Sequence, residues 1–337
     1  MIKKSIFGLF DEEAFRAEFS EAYADKGPDA ALTYLIKRAP RMLRSSINRQ
    51  EKLSHMLYMS RMIQNSGTTK HGIAKVARKA NTVWRIWNKW RTTEPGTYID
   101  FGAGMHDPIP VSAFVYGAGF SRAVANDQRK PKAPAYSALS LLESLAMLRL
   151  RPDKYIRSDI DLDSFFDRIG GFDLDRLAEG DFEAGIAPMR GRVDLEVCDI
   201  VNANIAEKEV TLITSHAVFE HVMDVDGVLE FLYSRTAPGG LGYHFVDLRD
   251  HRAYRPGDRY NEFSFLTEKV GPDRLNRLRQ SELIDAFAKV GFEVLKSEPK
   301  QKPFPEAMRP RLIPRFANLT QDDLETVAVT LTVRRPA

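Results

Sequence analysis

A chain of 337 residues has room for one large domain with additions, or for two domains. Its 43% hydrophobic and 28% charged residues are ordinary for a soluble globular protein, and no apolar run approaches the ~18 residues of a membrane span. The net charge is +3, and the single cysteine, Cys198, excludes an internal disulfide framework and fits a reducing, cytoplasmic compartment.

The first residues, "MIKKSIFGLFDEEAF", combine two lysines with a short apolar patch. Acids follow at once and no small-residue cleavage site appears, so the stretch reads as a mature cytoplasmic N-terminus. Residues 31–91 carry fourteen Lys or Arg and one acid, Glu51. Within them, "IAKVARKANTVWRIWNKW" repeats Val76, Ala80, Val83, Trp87 and Trp90 at spacings of four and three. That spacing predicts an amphipathic helix with Arg78, Arg85 and Lys89 off the apolar stripe. The basic face is either solvated or meets an anionic partner. The apolar stripe should pack on the rest of the chain or on a second subunit, which leaves a homo-oligomer open.

From residue 97 the texture alternates. "TYIDFGAG" reads as a strand ending in a glycine turn, "VSAFVYGAG" as a helix, and "SRAVANDQRKP" as a strand ending at Asp127. "KEVTLITSHAVFEHV" holds a strand at 208–214. "VLEFLYSRTAPGG" reads as a helix stopped by Pro238 and Gly239, and "LGYHFVDLRDH" as a strand. "SELIDAFAKVGFEVLKSE" reads as a helix capped by Ser281 and closed by Gly291, followed by a strand; "LETVAVTLTVRR" is a last strand. Such alternation predicts an α/β fold with a mostly parallel sheet and helices on both faces, whose ligands lie at the carboxyl ends of the strands.

Gly102 and Gly104 allow a sharp turn and close approach of a ligand. Asp127 follows Gly102 by 25 residues, near the ~20 expected of an acid that accepts ribose hydroxyls. The turn runs on as Met105-His106-Asp107, with no third glycine, which disfavours a pyrophosphate. A ligand with a ribose and no phosphates does not need one.

"YIDFGAG", with Asp100, Gly102, Ala103 and Gly104, resembles the first motif of class I (Rossmann-like) S-adenosylmethionine-dependent methyltransferases. "NDQ" resembles their second-strand acid, and "EVCDIVN" the segment whose acid, here Asp199 with Ile200 beside it, reaches the adenine amino group. "ITSHAVFEHVMDVDGVLEFLYSRTAPGG", which contains Ser215, is similar to their fourth-strand loop, helix and Pro-Gly-Gly turn. The resemblance spans roughly 97–335. It implies S-adenosyl-L-methionine as cofactor, S-adenosyl-L-homocysteine as product, and a closing antiparallel hairpin. The domain expectation is therefore a helical region over 1–92 and a catalytic domain over 93–337. The 72 residues from Asp127 to Asp199 imply a helical insertion at about 135–190. No metal site is expected: "DIDLDS" fails the calcium-loop template, with Ser164 in place of the turn glycine and Gly170 in place of the bidentate Glu.

"HFVDLRDHRAY" and "RLNRLRQSE" resemble methyltransferases of bacterial surface-saccharide pathways, which implies O-methylation of a sugar, glycan or related polar small molecule. An alcohol needs a general base. His251 comes first, with Asp247 four residues before it to fix its tautomer; His216, after the fourth strand, comes second. His221 reads as structural or as an acceptor contact. Arg249, Asn276, Arg277 and Arg279 suit hydroxyls or a phosphate, or form a solvated basic surface. Three other classes stay open. One is an RNA methyltransferase using the basic N-terminal helices. Another is a non-catalytic membrane- or partner-binding relative. The third, a nicotinamide-dependent oxidoreductase, leaves Asp199 and the Pro-Gly-Gly turn unexplained.

Overall fold

A computed structural model describes residues 17–22, 24, 34, 37, 38, 73–254, 259–272 and 274–337. Most of the expected N-terminal helical region therefore lies outside the described residues. Helix α1 (Ile73–Trp90) carries the expected stripe. Val76, Ala80, Val83 and Trp87 are buried and Arg78, Arg85 and Lys89 are exposed. Trp84, off the stripe, is buried too, with its ring edge-on to Phe120.

The seven strands are β1 (Thr97–Phe101), β2 (Arg122–Asp127), β3 (Val193–Val197), β4 (Val210–His216), β5 (Thr236–Asp247), β6 (Glu293–Gln301) and β7 (Thr326–Arg334). They form one sheet in the order β3-β2-β1-β4-β5-β7-β6. The pairs β2–β3, β1–β4 and β4–β5 are parallel, and β7 runs antiparallel between β5 and β6. This is an α/β, Rossmann-like, mostly parallel sheet with one reversed strand. Strand β4 is buried along its length except at His216, as its near-continuous apolar run requires. Strand β6 lies at the edge, largely exposed, and Lys296, Glu298, Pro299 and Lys300 guard that edge against pairing with another chain.

The chain forms two compact units. One contains the described residues up to Arg85 with Ala103–Val197; the other contains Ile86–Gly102 with Cys198–Ala337. In the first, α2 (Pro110–Gly117) is wholly buried, and α3 (Pro134–Leu150) is apolar almost all round. Four short helices follow, α4 (Pro152–Tyr155), α5 (Leu162–Arg168), α6 (Leu174–Ala178) and α7 (Phe182–Ile186). Three acids of this stretch cap these helices. Asp161, Asp173 and Asp181 accept backbone N–H groups at the starts of α5, α6 and α7, and Asp159 pairs with Arg157 at 2.9 Å. The "DIDLDS" run is thus an ion pair followed by a helix cap.

In the second unit, α8 (Val225–Arg235) is capped by Asp224, whose carboxylate accepts the Gly227 N–H. It ends three residues before Pro238, because "TAPGG" already belongs to β5. Helix α9 (Gln280–Lys289) is not capped by Ser281. Arg279 holds the cap position and Glu282 reaches back to its N–H at 2.8 Å; the Ser281 N–H goes to Asp323. A satellite core of Phe263, Phe265, Leu266, Phe304, Phe316 and Leu324 supports the chain that returns from β5.

Candidate functional site

The glycine turn after β1 is fixed by backbone donors. In the first unit, Ala103 N–H donates to Asn126 O at 2.9 Å and Gly104 N–H to Asp127 Oδ2 at 3.0 Å. Arg129 N–H takes Asp127 Oδ1, also at 3.0 Å. The end of β2 and the turn are therefore held together through one carboxylate. Gly104 has φ +97, and a Cβ there would meet nothing within 4 Å, so its face is open. In the second unit, Gly102 has φ +74 and a Cβ would lie 2.2 Å from Val218 Cγ2. Only glycine fits there. Asp100 is half-buried on β1, opposite Thr214. Asp199 caps the short turn Ile200–Asn202 by accepting the Val201 N–H at 3.3 Å, and Ile200 is buried.

Ser215 is buried, and its hydroxyl meets His244 Nδ1 at 2.9 Å. His244 was not among the expected site residues. Burial drives its pKa down to about 3, so the ring is neutral, edge-on to Phe219 and against Phe287. Its two-residue spacing from buried Val246 on β5 is the signal that places it inward. His216, exposed at the end of β4, stacks on Phe245 with ring centroids 4.6 Å apart.

Asp247 and His251 are near each other but share no hydrogen bond. His251 Nε2 lies 4.0 Å from Asp247 Oδ2, beyond hydrogen-bond range. The carboxylate instead accepts both arms of Arg249, at 2.9 Å each, and the Tyr254 hydroxyl. Burial alone would raise its pKa, but Arg249 and Tyr254 outweigh burial and lower it. Arg249 is thereby neutralised and lies over the Tyr254 ring. The His251 ring stacks on Tyr254 and stands edge-on to His221, and burial lowers its pKa.

His221 Nδ1 faces Arg274 O at 2.7 Å. Glu220, overlooked in the sequence, is 4% exposed, and neither carboxylate oxygen has a hydrogen-bond partner. Burial pushes its pKa up to about 8. Asn276 Nδ2 donates to Phe219 O and Val222 O, and Arg277 Nη1 to Phe265 O and Glu268 O. Arg279 is completely buried and donates to Leu248, Asp323 and Thr326 carbonyls. These three side chains, expected to face hydroxyls or a phosphate, are spent on the backbone. Asn276 also lines an open cleft of about 700 Å³, in which Lys289 pairs with Asp226 and Arg315 with Glu282.

No described protein family and no curated protein matches the chain. Solved structures of similar fold exist. An S-adenosylmethionine-dependent methyltransferase from Mesorhizobium loti is 14% identical, over 78% of this chain and 100% of its own, with a TM-score of 0.40. Geranyl diphosphate C-methyltransferase from Streptomyces coelicolor A3(2) is 12% identical, over 88% and 87%, with a TM-score of 0.42. The [4+2]-cyclase SpnF is 13% identical, over 77% and 82%, with a TM-score of 0.40. No helix among the described residues is long and apolar enough to cross a membrane.

Proposed function

We propose that the chain is an S-adenosylmethionine-dependent methyltransferase. The observation that carries this reading is the bond from Gly104 N–H to Asp127 Oδ2 at 3.0 Å, which joins an open glycine turn to an acid at the end of β2. An acid so placed can accept ribose hydroxyls, and a glycine with φ +97 and free space before it lets a ligand approach the backbone. Asp127 and the Gly102–Ala103–Gly104 turn, with Asp100, Asp199, Ile200 and Ser215, form the cofactor set in this reading. The cofactor supplies an activated methyl group, and the chain's part is to hold an acceptor in line with it.

The acceptor in this reading is a hydroxyl of a sugar, glycan or related polar small molecule. Its base is His216, at the carboxyl end of β4, where a parallel sheet presents its ligands. The ranking of His251 above His216 rested on Asp247 orienting the imidazole, and Asp247 is occupied by Arg249 and Tyr254. Asp247 and Arg249 then act as a fixed ion pair at the head of the loop after β5.

The test is thermal unfolding of the full chain with S-adenosylmethionine, S-adenosylhomocysteine or NAD. A ligand at 100 times its Kd adds about 2.7 kcal/mol to apparent stability. Stabilisation by the two sulfur ligands and not by NAD is the expected result. Stabilisation by NAD alone, or by none of the three, defeats the reading.

A further inference from the structure

The geometry points to a binding site for one first-row divalent transition-metal ion, formed by Glu220, His221 and His251. Each of the three offers a ligand atom, and these atoms all lie within 4.8 Å of one another. Three ligands on one ion with bonds near 2.1 Å stand about 3.4 Å apart. Side-chain adjustment of roughly 1 Å therefore closes the site around an ion.

Each ligand is prepared in a separate way. Glu220 is the strongest sign: its carboxylate is buried beside the two rings, 4% exposed, with no hydrogen-bond partner on either oxygen. A buried carboxylate left so is costly to ionise, and a cation is the partner that offsets the cost. His221 faces the Arg274 carbonyl through Nδ1 at 2.7 Å. A carbonyl only accepts, so Nδ1 carries the hydrogen and Nε2 keeps its lone pair, the arrangement of a metal-ligating histidine. His251 Nε2 is also buried without a hydrogen-bond partner. The nearby positive charge of Arg249 is matched by its two-armed contact with Asp247, so it does not repel an ion strongly.

The backbone holds the ligands in place. Glu220 and His221 occupy the short turn Phe219–His221 after β4. Asn276 fastens that turn through Phe219 O and Val222 O, and its own N–H takes Glu220 O at 2.9 Å. His251 opens the turn after β5, and Tyr254 stacks on its ring. Two imidazoles and one carboxylate select zinc-, cobalt- or manganese-class ions over calcium and magnesium, which prefer all-oxygen sites. Three protein ligands leave a coordination position open to an oxygen ligand. Sequence spacing gave no sign of this site, because His251 lies thirty residues beyond His221 and only the fold brings the rings together.

The full chain, stripped with a chelator, is titrated with Co²⁺ and followed by visible absorption. We expect saturable binding of one ion, displaced by Zn²⁺. His221→Ala, His251→Ala and Glu220→Gln should each weaken binding by at least ~10-fold, with circular dichroism unchanged. His221 is exposed, so its replacement keeps the test valid even where Glu220→Gln fails to fold. Absence of saturable binding, wild-type affinity in His221→Ala, or preference for Mg²⁺ over Co²⁺ overturns the site. Neither cofactor nor acceptor is needed, so this result stands apart from the thermal-shift test of methyl transfer.

Discussion

Asn276 bridges the turn that follows β4: its side-chain amide donates to Phe219 O at 2.6 Å and to Val222 O at 2.8 Å. Its carbonyl oxygen accepts the Leu278 N–H at 3.0 Å, so the whole amide is used. Asn276→Ala should cost about 1–3 kcal/mol, the range for losing partly buried hydrogen bonds and leaving carbonyls unpaired. Asn276→Asp should cost more at neutral pH, because an acceptor-only carboxylate would then face two carbonyl oxygens. Urea unfolding of both variants checks the order. An aspartate variant as stable as wild type would remove the clamp from the account.

The cofactor reading predicts a contrast between two substitutions. Asp127→Ala should weaken S-adenosylhomocysteine binding by about 1.5–3 kcal/mol, as for a hydrogen bond to a charged group, and leave the fold standing. Gly102→Ala drives a methyl into Val218 and demands a left-handed backbone from alanine. It should lower stability itself, by about 1–3 kcal/mol. Calorimetric titration and denaturant unfolding separate the two effects. Unchanged affinity in folded Asp127→Ala would remove the carboxylate from the cofactor set.

His216 should show a split between cofactor binding and methyl transfer. Once an acceptor is found, His216→Ala should leave S-adenosylhomocysteine affinity near wild type and cut methyl transfer by roughly 10²–10⁴, the scale for loss of a general base. Labelled methyl transfer reads this out. Wild-type transfer by His216→Ala would move the base elsewhere.

The elements visible in the sequence are those set by local pattern. The stripe of α1, the buried run of β4 and the glycine turn at 102–104 are written in spacing and residue type, and they occur where expected. The motif order also anticipated the reversed last strand. What depended on which of several side chains wins a partner was not visible. Ser281 looked like a cap, yet Glu282 and Asp323 take the N–H groups at the start of α9. Asp247 and His251 are four apart and looked like a pair. Arg249, at two residues, offers a bidentate fork that a single imidazole nitrogen cannot match for a carboxylate. Glu220 sat unnoticed because nothing in "VFEHV" tells that its carboxylate turns inward.

Arg279 is the largest charged side chain among the fully buried ones. Burial lowers its pKa to about 10, so it remains a cation at neutral pH, held by carbonyls. Its fork ties Leu248, past β5, to Asp323 and Thr326 at the start of β7. Arg279→Met fills much of the volume but orphans these carbonyls. It should cost on the order of 3 kcal/mol, since each buried unpaired group costs about 1–3. Arg279→Lys should recover only part of that, having no planar fork. Guanidinium unfolding measures both, and a methionine variant of wild-type stability contradicts the argument.

His244 gives the chain a predictable acid sensitivity. Its pKa is about 3 in the fold, against 6.5 for an unburied histidine, because the ring is enclosed between Phe219 and Phe287. Between these values the unfolded chain binds the proton and the native chain does not. The His244 contribution to stability therefore rises with pH across this window and is lost as pH falls from 6.5 toward 3, by at most about 1.4 kcal/mol per pH unit. From pH 5 to 6.5 ordinary carboxylates change little; Glu220, whose pKa burial raises to about 8, contributes a slope of opposite sign that His244→Gln retains, and the rise with pH comes from the histidines. His251, whose pKa is also lowered by burial, acts in the same sense. It is retained in His244→Gln, so the difference in slope between wild type and that variant isolates His244. His244→Gln leaves Ser215 a polar neighbour and removes the titration. The variant's unfolding free energy should rise less, or fall more, with pH than the wild type's over pH 5–6.5, whatever its absolute stability. Parallel slopes would mean that the His244 ring takes up a proton inside the fold as easily as outside it.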